Sequence, residues 1–258
     1  MKNSTILLAI VLISLVILTF SGNRNVFLGE TVDRGYKGLY FLDEFGKIYV
    51  SGSAKHLGNL RFRERIARDL ELTKNGYLAL DKYGSVYSFG DAIRRGDANT
   101  KDAIDLELTS NGYYILDRSG KVYVFGDAED FGSGYGIYVD MELTSDGYYL
   151  LKNNGEIDVF GDAVSYGNAD GDSIDMELTD NGYYILEKNG KLNFFGDAID
   201  QGYDDSLENV QDIELINKSK GYYILDSKGL AYSYLASAGF PGPEFSEDGS
   251  YIDMEVLE

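Results

Sequence analysis

Six times in this chain an aspartate is followed two residues later by a glutamate, each time inside a short apolar phrase. The pairs are Asp69 and Glu71, Asp105 and Glu107, Asp140 and Glu142, Asp175 and Glu177, Asp212 and Glu214, and Asp253 and Glu255. Phrases such as DLELT and DMELT read as strands, and in a strand residues two apart share a face. If each is the innermost strand of a repeated sheet, the twelve carboxylates form two stacked rings around a central channel. Like charges so crowded raise some carboxyl pKa values or recruit a cation, and Ca2+ is the ion that oxygen-rich cages favour. The structural alternative is that each Asp fixes the entering turn and each Glu bonds to a Tyr hydroxyl or backbone N–H between units. Repetition in all six units favours that alternative, because a ligand site usually breaks symmetry.

Other acidic motifs are weaker. Asp91, Asp127, Asp162 and Asp197 end four copies of the phrase FGDA. There an Asp side chain can bond backbone N–H groups two residues on while the preceding Gly permits a sharp turn. The stretch NADGDS at 168–173 lacks the twelve-residue spacing and terminal Glu of a calcium loop. One stretch opposes the acidic trend: RFRERIARD at 61–69, with Arg94 and Arg95 in the following copy. Arg61, Arg63, Arg65, Arg68, Arg94 and Arg95 are expected to form one basic patch on the rim, a docking site for an acidic partner or glycan. The plainer reading pairs these charges with neighbours such as Glu64 and Asp97.

Catalytic inventories are short. His56 is the single histidine and there is no Cys, so a His-based triad, a multi-histidine metal site and thiol chemistry lack their parts. No phosphate loop or serine elbow is present, and a sialidase-type Asp-box would need a Trp, which the chain lacks. A carboxylate-only or Ca2+-dependent hydrolase with its site at the channel stays open as an alternative.

The elements that would hold these residues are written as an array. Gly38, Gly76, Gly112, Gly147, Gly182 and Gly221 begin successive copies of one phrase, spaced by 35 to 39 residues. Asn-Gly or Asp-Gly precedes the Tyr-rich strand in four copies, the strongest short-range hairpin signal. Each unit therefore reads as a meander: a DMELT strand, a GYYILD strand, a GKVYVFG strand, and a variable segment long enough for a short fourth strand. No amphipathic helix is written in the array. The Tyr doublets point their two rings to opposite faces, into the layers between units; Tyr135, Tyr138, Tyr166 and Tyr203 in the variable segments could stack on sugars. Such a repeat matches a propeller blade better than a helical solenoid. The first copy lacks its DxELT strand, and the last residues, IDMEVLE at 252–258, are such a strand with no blade after it. We expect an all-β, six-bladed β-propeller closed by exchange of the C-terminal strand, which removes two sheet edges.

The pattern in GYYILDRSGKVYVFGDA (112–128) and GYYILEKNGKLNFFGDA (182–198) resembles the Phe-Gly-Asp-Ala repeat of bacterial extracellular and cell-wall proteins. The resemblance spans essentially everything after the N-terminal segment. It implies a β-propeller module that binds rather than catalyses. Copies one and six depart from it, with SGSA and LASA in place of FGDA.

Composition agrees with a folded, exported module. The chain has 258 residues, 44% hydrophobic and 14% aromatic, with 31 Gly and 2 Pro, enough to bury a core of short strands and tight turns. A formal net charge of −20 repels phosphate backbones and argues against nucleic acid as a partner. Residues 1–25 hold an uncharged apolar run from Ile6 to Phe20 behind one Lys, and are expected to be a signal peptide or membrane anchor. The domain would occupy residues 26–258. The expected function is an exported, non-catalytic protein-recognition or scaffold module at the cell surface, with a lectin-like glycan binder as the alternative. Membrane contact would come only through the N-terminal segment.

Overall fold

A computed structural model describes residues 38–204, 206–216, 221–234 and 250–257. The N-terminal apolar run and the domain start at 26 lie outside the described residues. In chain order the strands are β1 (Gly38–Asp43), β2 (Ile48–Gly52), β3 (Ala67–Thr73), β4 (Gly76–Asp81), β5 (Val86–Phe89), β6 (Ala103–Leu108), β7 (Tyr113–Asp117), β8 (Val122–Phe125) and β9 (Tyr138–Leu143). They continue as β10 (Gly147–Lys152), β11 (Ile157–Gly161), β12 (Ser173–Leu178), β13 (Gly182–Glu187), β14 (Leu192–Gly196), β15 (Val210–Leu215), β16 (Tyr222–Asp226), β17 (Ala231–Tyr234) and β18 (Tyr251–Leu257). These make six antiparallel sheets of three strands each, and no helix occurs among the described residues. The first sheet has the order β18-β1-β2, so the last strand of the chain is the inner strand of the first blade.

The register of that exchange is specific. Leu39 faces Val256, Phe41 faces Met254 and Leu42 faces Asp253. The six inner strands touch in the cyclic order β18, β3, β6, β9, β12, β15 and back to β18, so the sheets form a closed ring. Every middle strand is buried, as a strand packed on both faces must be. The apolar core is accordingly divided among the gaps between blades. One cluster joins Leu78 and Leu80 of the second blade to Ala103, Leu106 and Ile115 of the third. Across the closure, Leu39, Phe41 and Met254 of the first blade pack on Ile216, Tyr223 and Leu225 of the sixth.

Two glycines fix the shape of each blade. The Asn-Gly turn is a hairpin as expected, yet Gly76 is not there for positive φ. Its backbone lies against β5, and an added Cβ would stand 2.2 Å from the Phe89 carbonyl oxygen. Gly90, opposite it, does adopt φ of 67° and turns the chain out of β5.

The fourth strand expected in the variable segment does not form; each sheet stops at three. The N–H groups that would pair a fourth strand go instead to the next blade. Arg95 and Gly96 both donate to the Tyr113 hydroxyl, at 2.8 and 2.7 Å, and that hydroxyl donates back to the Gly96 carbonyl at 2.6 Å. Tyr183 holds Tyr166 and Gly167 in the same manner. The first Tyr of each doublet is thus a clip between blades. Deleting residues 250–258 is expected to lower the melting temperature by about 10 °C or more, since it exposes β1 and unroofs the Leu39, Phe41 and Ile216 cluster. A synthetic 250–258 peptide added in trans should recover most of the loss. Unchanged melting of the truncated chain would contradict ring closure.

Candidate functional site

The sequence pattern places all twelve repeated carboxylates on inner strands, and the structure brings them to one central channel. In each inner strand an extra residue bulges out immediately before the Asp: Arg68, Ile104, Val139, Ile174, Gln211 and Ile252. A bulge re-aims the side chain that follows it. Here it turns the Asp toward the next blade. Asp69 Oδ2 accepts the Leu106 N–H at 2.9 Å, Asp105 Oδ2 that of Met141 at 2.6 Å, and Asp175 Oδ2 that of Ile213 at 2.6 Å. Each therefore staples adjacent inner strands, which carry no backbone ladder between them. In Asp140, Asp212 and Asp253 the equivalent oxygen is buried without a hydrogen-bond partner.

Those surroundings favour the neutral acid. Burial pushes Asp69 up to about 7 against the pull of the Leu106 and Leu70 N–H groups, and Asp175 to about 6. Asp105, Asp140, Asp212 and Asp253 are driven well above the usual carboxylate range by burial, with neighbouring carboxylates adding to it. The nearby Asp175 carboxyl is the largest of the neighbouring carboxyls that raise Asp212. The glutamates line the channel half-buried, enclosed by protein on every side. Burial raises Glu71, Glu107, Glu142, Glu214 and Glu255, and each feels the Glu of an adjacent or nearby blade. Among the described residues no three acidic or histidine side chains come together as a metal site would require.

The FGDA aspartates do something different from the local turn bond expected of them. Asp91 reaches back sixteen to eighteen residues, accepting the Thr73 hydroxyl at 2.5 Å and the Asn75 N–H at 3.1 Å. Asp127, Asp162 and Asp197 receive Thr109, Thr144 and Thr179 likewise. One side chain ties the end of the third strand to the turn between the first two. The threonine hydroxyls hold Asp91, Asp127 and Asp197 below the usual carboxylate range.

The six arginines do not share matching positions. Leu57 and Arg95 donate their N–H groups to equivalent tyrosines, Tyr77 and Tyr113, so Arg94 and Arg95 correspond to His56 and Leu57 rather than to 61–68. Arg61, Arg63 and Arg65 are exposed along the turn after β1, where Phe62 N–H bonds to the Phe45 carbonyl. Arg65 pairs with Glu44 at 3.1 Å, Arg94 pairs with Asp97, and Arg68 is half-buried with its guanidinium on the Ala67 carbonyl. His56 bonds to Asn59 on the outer loop, on the far side of the blade from the inner strand.

No known family model matches this chain, and no curated protein matches it in sequence. Solved structures match it in fold. The computationally designed Ika8 protein is 11% identical with a TM-score of 0.51, over 86% of this chain and 78% of that one. Hsv2 of Kluyveromyces lactis is 13% identical with a TM-score of 0.49, over 89% and 84%. PorZ, a surface component of the type-IX secretion system of Porphyromonas gingivalis, is 15% identical with a TM-score of 0.48, over 82% of this chain and 31% of PorZ. At such identities the likeness is one of fold alone; the propeller repeat itself is given by the six three-stranded sheets and the ring of inner strands.

The channel sets a pH dependence whose sign is fixed. A carboxyl with raised pKa retains its proton in the folded state and releases it near pH 4 once unfolded. Stability contributed this way is complete below about pH 4 and is lost as pH rises through 6 and 7, the values reached by Asp175 and Asp69. The FGDA clasps act oppositely, but only below about pH 4. Thermal melting should therefore fall by about 5 °C or more between pH 4.5 and 7.5. A flat or rising profile across that interval would show that the channel carboxyls are not protonated.

Proposed function

We propose that the chain is an exported, non-catalytic propeller that serves as a recognition or scaffold module at the cell surface. The observation that carries this reading is where the large apolar side chains are left uncovered. Ile93, Tyr135, Ile137, Val164 and Ile199 are each more than half exposed, and all lie in the variable segments joining one blade to the next. The backbone of these segments is held by the tyrosine clips, and these side chains are left outward as contact groups. Segments that vary on a rigid scaffold are where binding groups are carried.

The apolar N-terminal run and the resemblance to Phe-Gly-Asp-Ala repeats of extracellular proteins support export to the surface. A Ca2+-dependent hydrolase at the channel is less well supported. Asp69, Asp105 and Asp175 are already engaged in stapling one inner strand to the next. The test is to apply the purified chain to intact cells and envelope fragments, with and without Ca2+, alongside a panel of ester and glycoside substrates. Saturable binding with no turnover is expected. Ca2+-dependent turnover, or no binding to any surface fraction, would overturn the reading.

A further inference from the structure

The fourth blade departs from the template at a matched pair of positions. In five blades an acid at the end of the second strand bonds to the side chain six residues later: Asp43 with Tyr49, Asp81 with Tyr87, Asp117 with Tyr123, Glu187 with Asn193, and Asp226 with Tyr232. In the fourth the polarity is reversed, and Lys152 Nζ donates to Asp158 at 2.8 Å. The other Asp158 oxygen receives the hydroxyl of Tyr138. Tyr138 is fully buried at a position where four other inner strands hold Ala67, Ala103, Ser173 and Val210 and that of the first blade holds Tyr251, also buried.

What this anchored ring supports is the loop 132–137, GSGYGI. Gly134 lies so close on Tyr138 that a Cβ would stand 2.1 Å from its hydroxyl oxygen, and Gly134 N–H also bonds to the Gly120 carbonyl at 2.8 Å. The loop backbone is thereby pinned, yet the Tyr135 ring is 95% exposed and Ile137 is 54% exposed. Folding does not ask for either. In the next loop, aligned on the shared carbonyls of Ile137 and Asp172 that receive Asn153 and Lys188, the two positions are Asp170 and Asp172.

Beside this ring lies an open hollow of about 490 Å³, whose other walls are Ser119, Lys121 and Ser133. Lys121 is the basic residue of that wall, and its Nζ stands 4.2 Å above the ring of Tyr123. We propose that this hollow is a subsite for a hexuronate, the sugar ring stacking on Tyr135 and its carboxylate meeting Lys121. An amphipathic ring with one bare face suits a sugar, which is apolar on its C–H face and polar at its edge. The hollow is formed by only a handful of residues, far short of the roughly 800 Å² per side that a protein partner needs. The ammonium supplies selectivity, since a chain of net charge −20 otherwise repels acidic ligands. This inference rests on the recognition reading above.

Calorimetric titration of the full chain with tetragalacturonate and with the neutral galactotetraose tests it. Wild type should bind tetragalacturonate saturably, and the neutral sugar about fivefold or more weakly. Tyr135→Ala should lose about tenfold or more with unchanged melting temperature, Tyr135→Phe should bind as wild type, and Lys121→Gln should erase the preference for the acid. Failure of wild type to bind tetragalacturonate, or equal binding by Tyr135→Ala, overturns the subsite. If Tyr135→Ala loses cell binding although wild type ignores the uronate, the loop serves another partner and the sugar assignment is wrong. Cell binding intact in Tyr135→Ala, with no uronate binding by wild type, removes the subsite while leaving the recognition reading standing.

Discussion

The pairing of β18 with β1 is the constraint from which the rest of the molecule follows. A three-stranded sheet cannot bury both faces by itself, and a row of such sheets leaves two of them half uncovered. Bringing the last strand of the chain into the first blade makes every sheet interior. It covers Leu39 and Phe41 with the sixth blade, and it draws six inner strands around an axis so tightly that their side chains must share one channel. The acidic rings are a consequence of that geometry as much as of the sequence.

Why acids should line such a channel becomes clear from the bonds they make. Adjacent inner strands belong to different sheets, so their backbone N–H groups have no ladder to join. A carboxyl placed just after a bulge reaches that distance, and a short side chain with two acceptor oxygens can meet an N–H on its own strand and one on the next. Asp175 does both, and Asp69 and Asp105 reach the next strand. Six of them around one axis cannot all be charged, and burial keeps several protonated. The same residue type is used in the opposite state at the blade tips, where Asp91, Asp127 and Asp197 stay ionised in the grip of a threonine hydroxyl.

Much of the architecture was legible in the sequence because it is repeated. A spacing of 35 to 39 residues, glycines at fixed offsets and an orphan strand phrase at 252–258 together specify the strand order and its closure. The site was legible only as far as periodicity reaches. The Asp-x-Glu spacing places both residues on one face, but the bulge that turns each Asp to the neighbouring blade has no sequence signature. Likewise the role of Gly76 needs the carbonyl of Phe89, thirteen residues away in a partner strand, and the arginine runs look equivalent until the tyrosine clips reveal their offset. The reversed pair Lys152 and Asp158 was visible in principle, as the one unit whose strand end is basic and whose sixth residue on is acidic. It carries meaning only when the two are known to touch.

Hydrogen exchange measured along the full chain addresses closure most directly. Amides of β18, Tyr251 to Leu257, should be as slow as those of the inner strands β6 and β12, and should open together with β1 in a single cooperative step. Exchange of β18 at the rate of a frayed terminus, while β6 and β12 remain protected, would mean that the ring is open at that seam and would contradict the account.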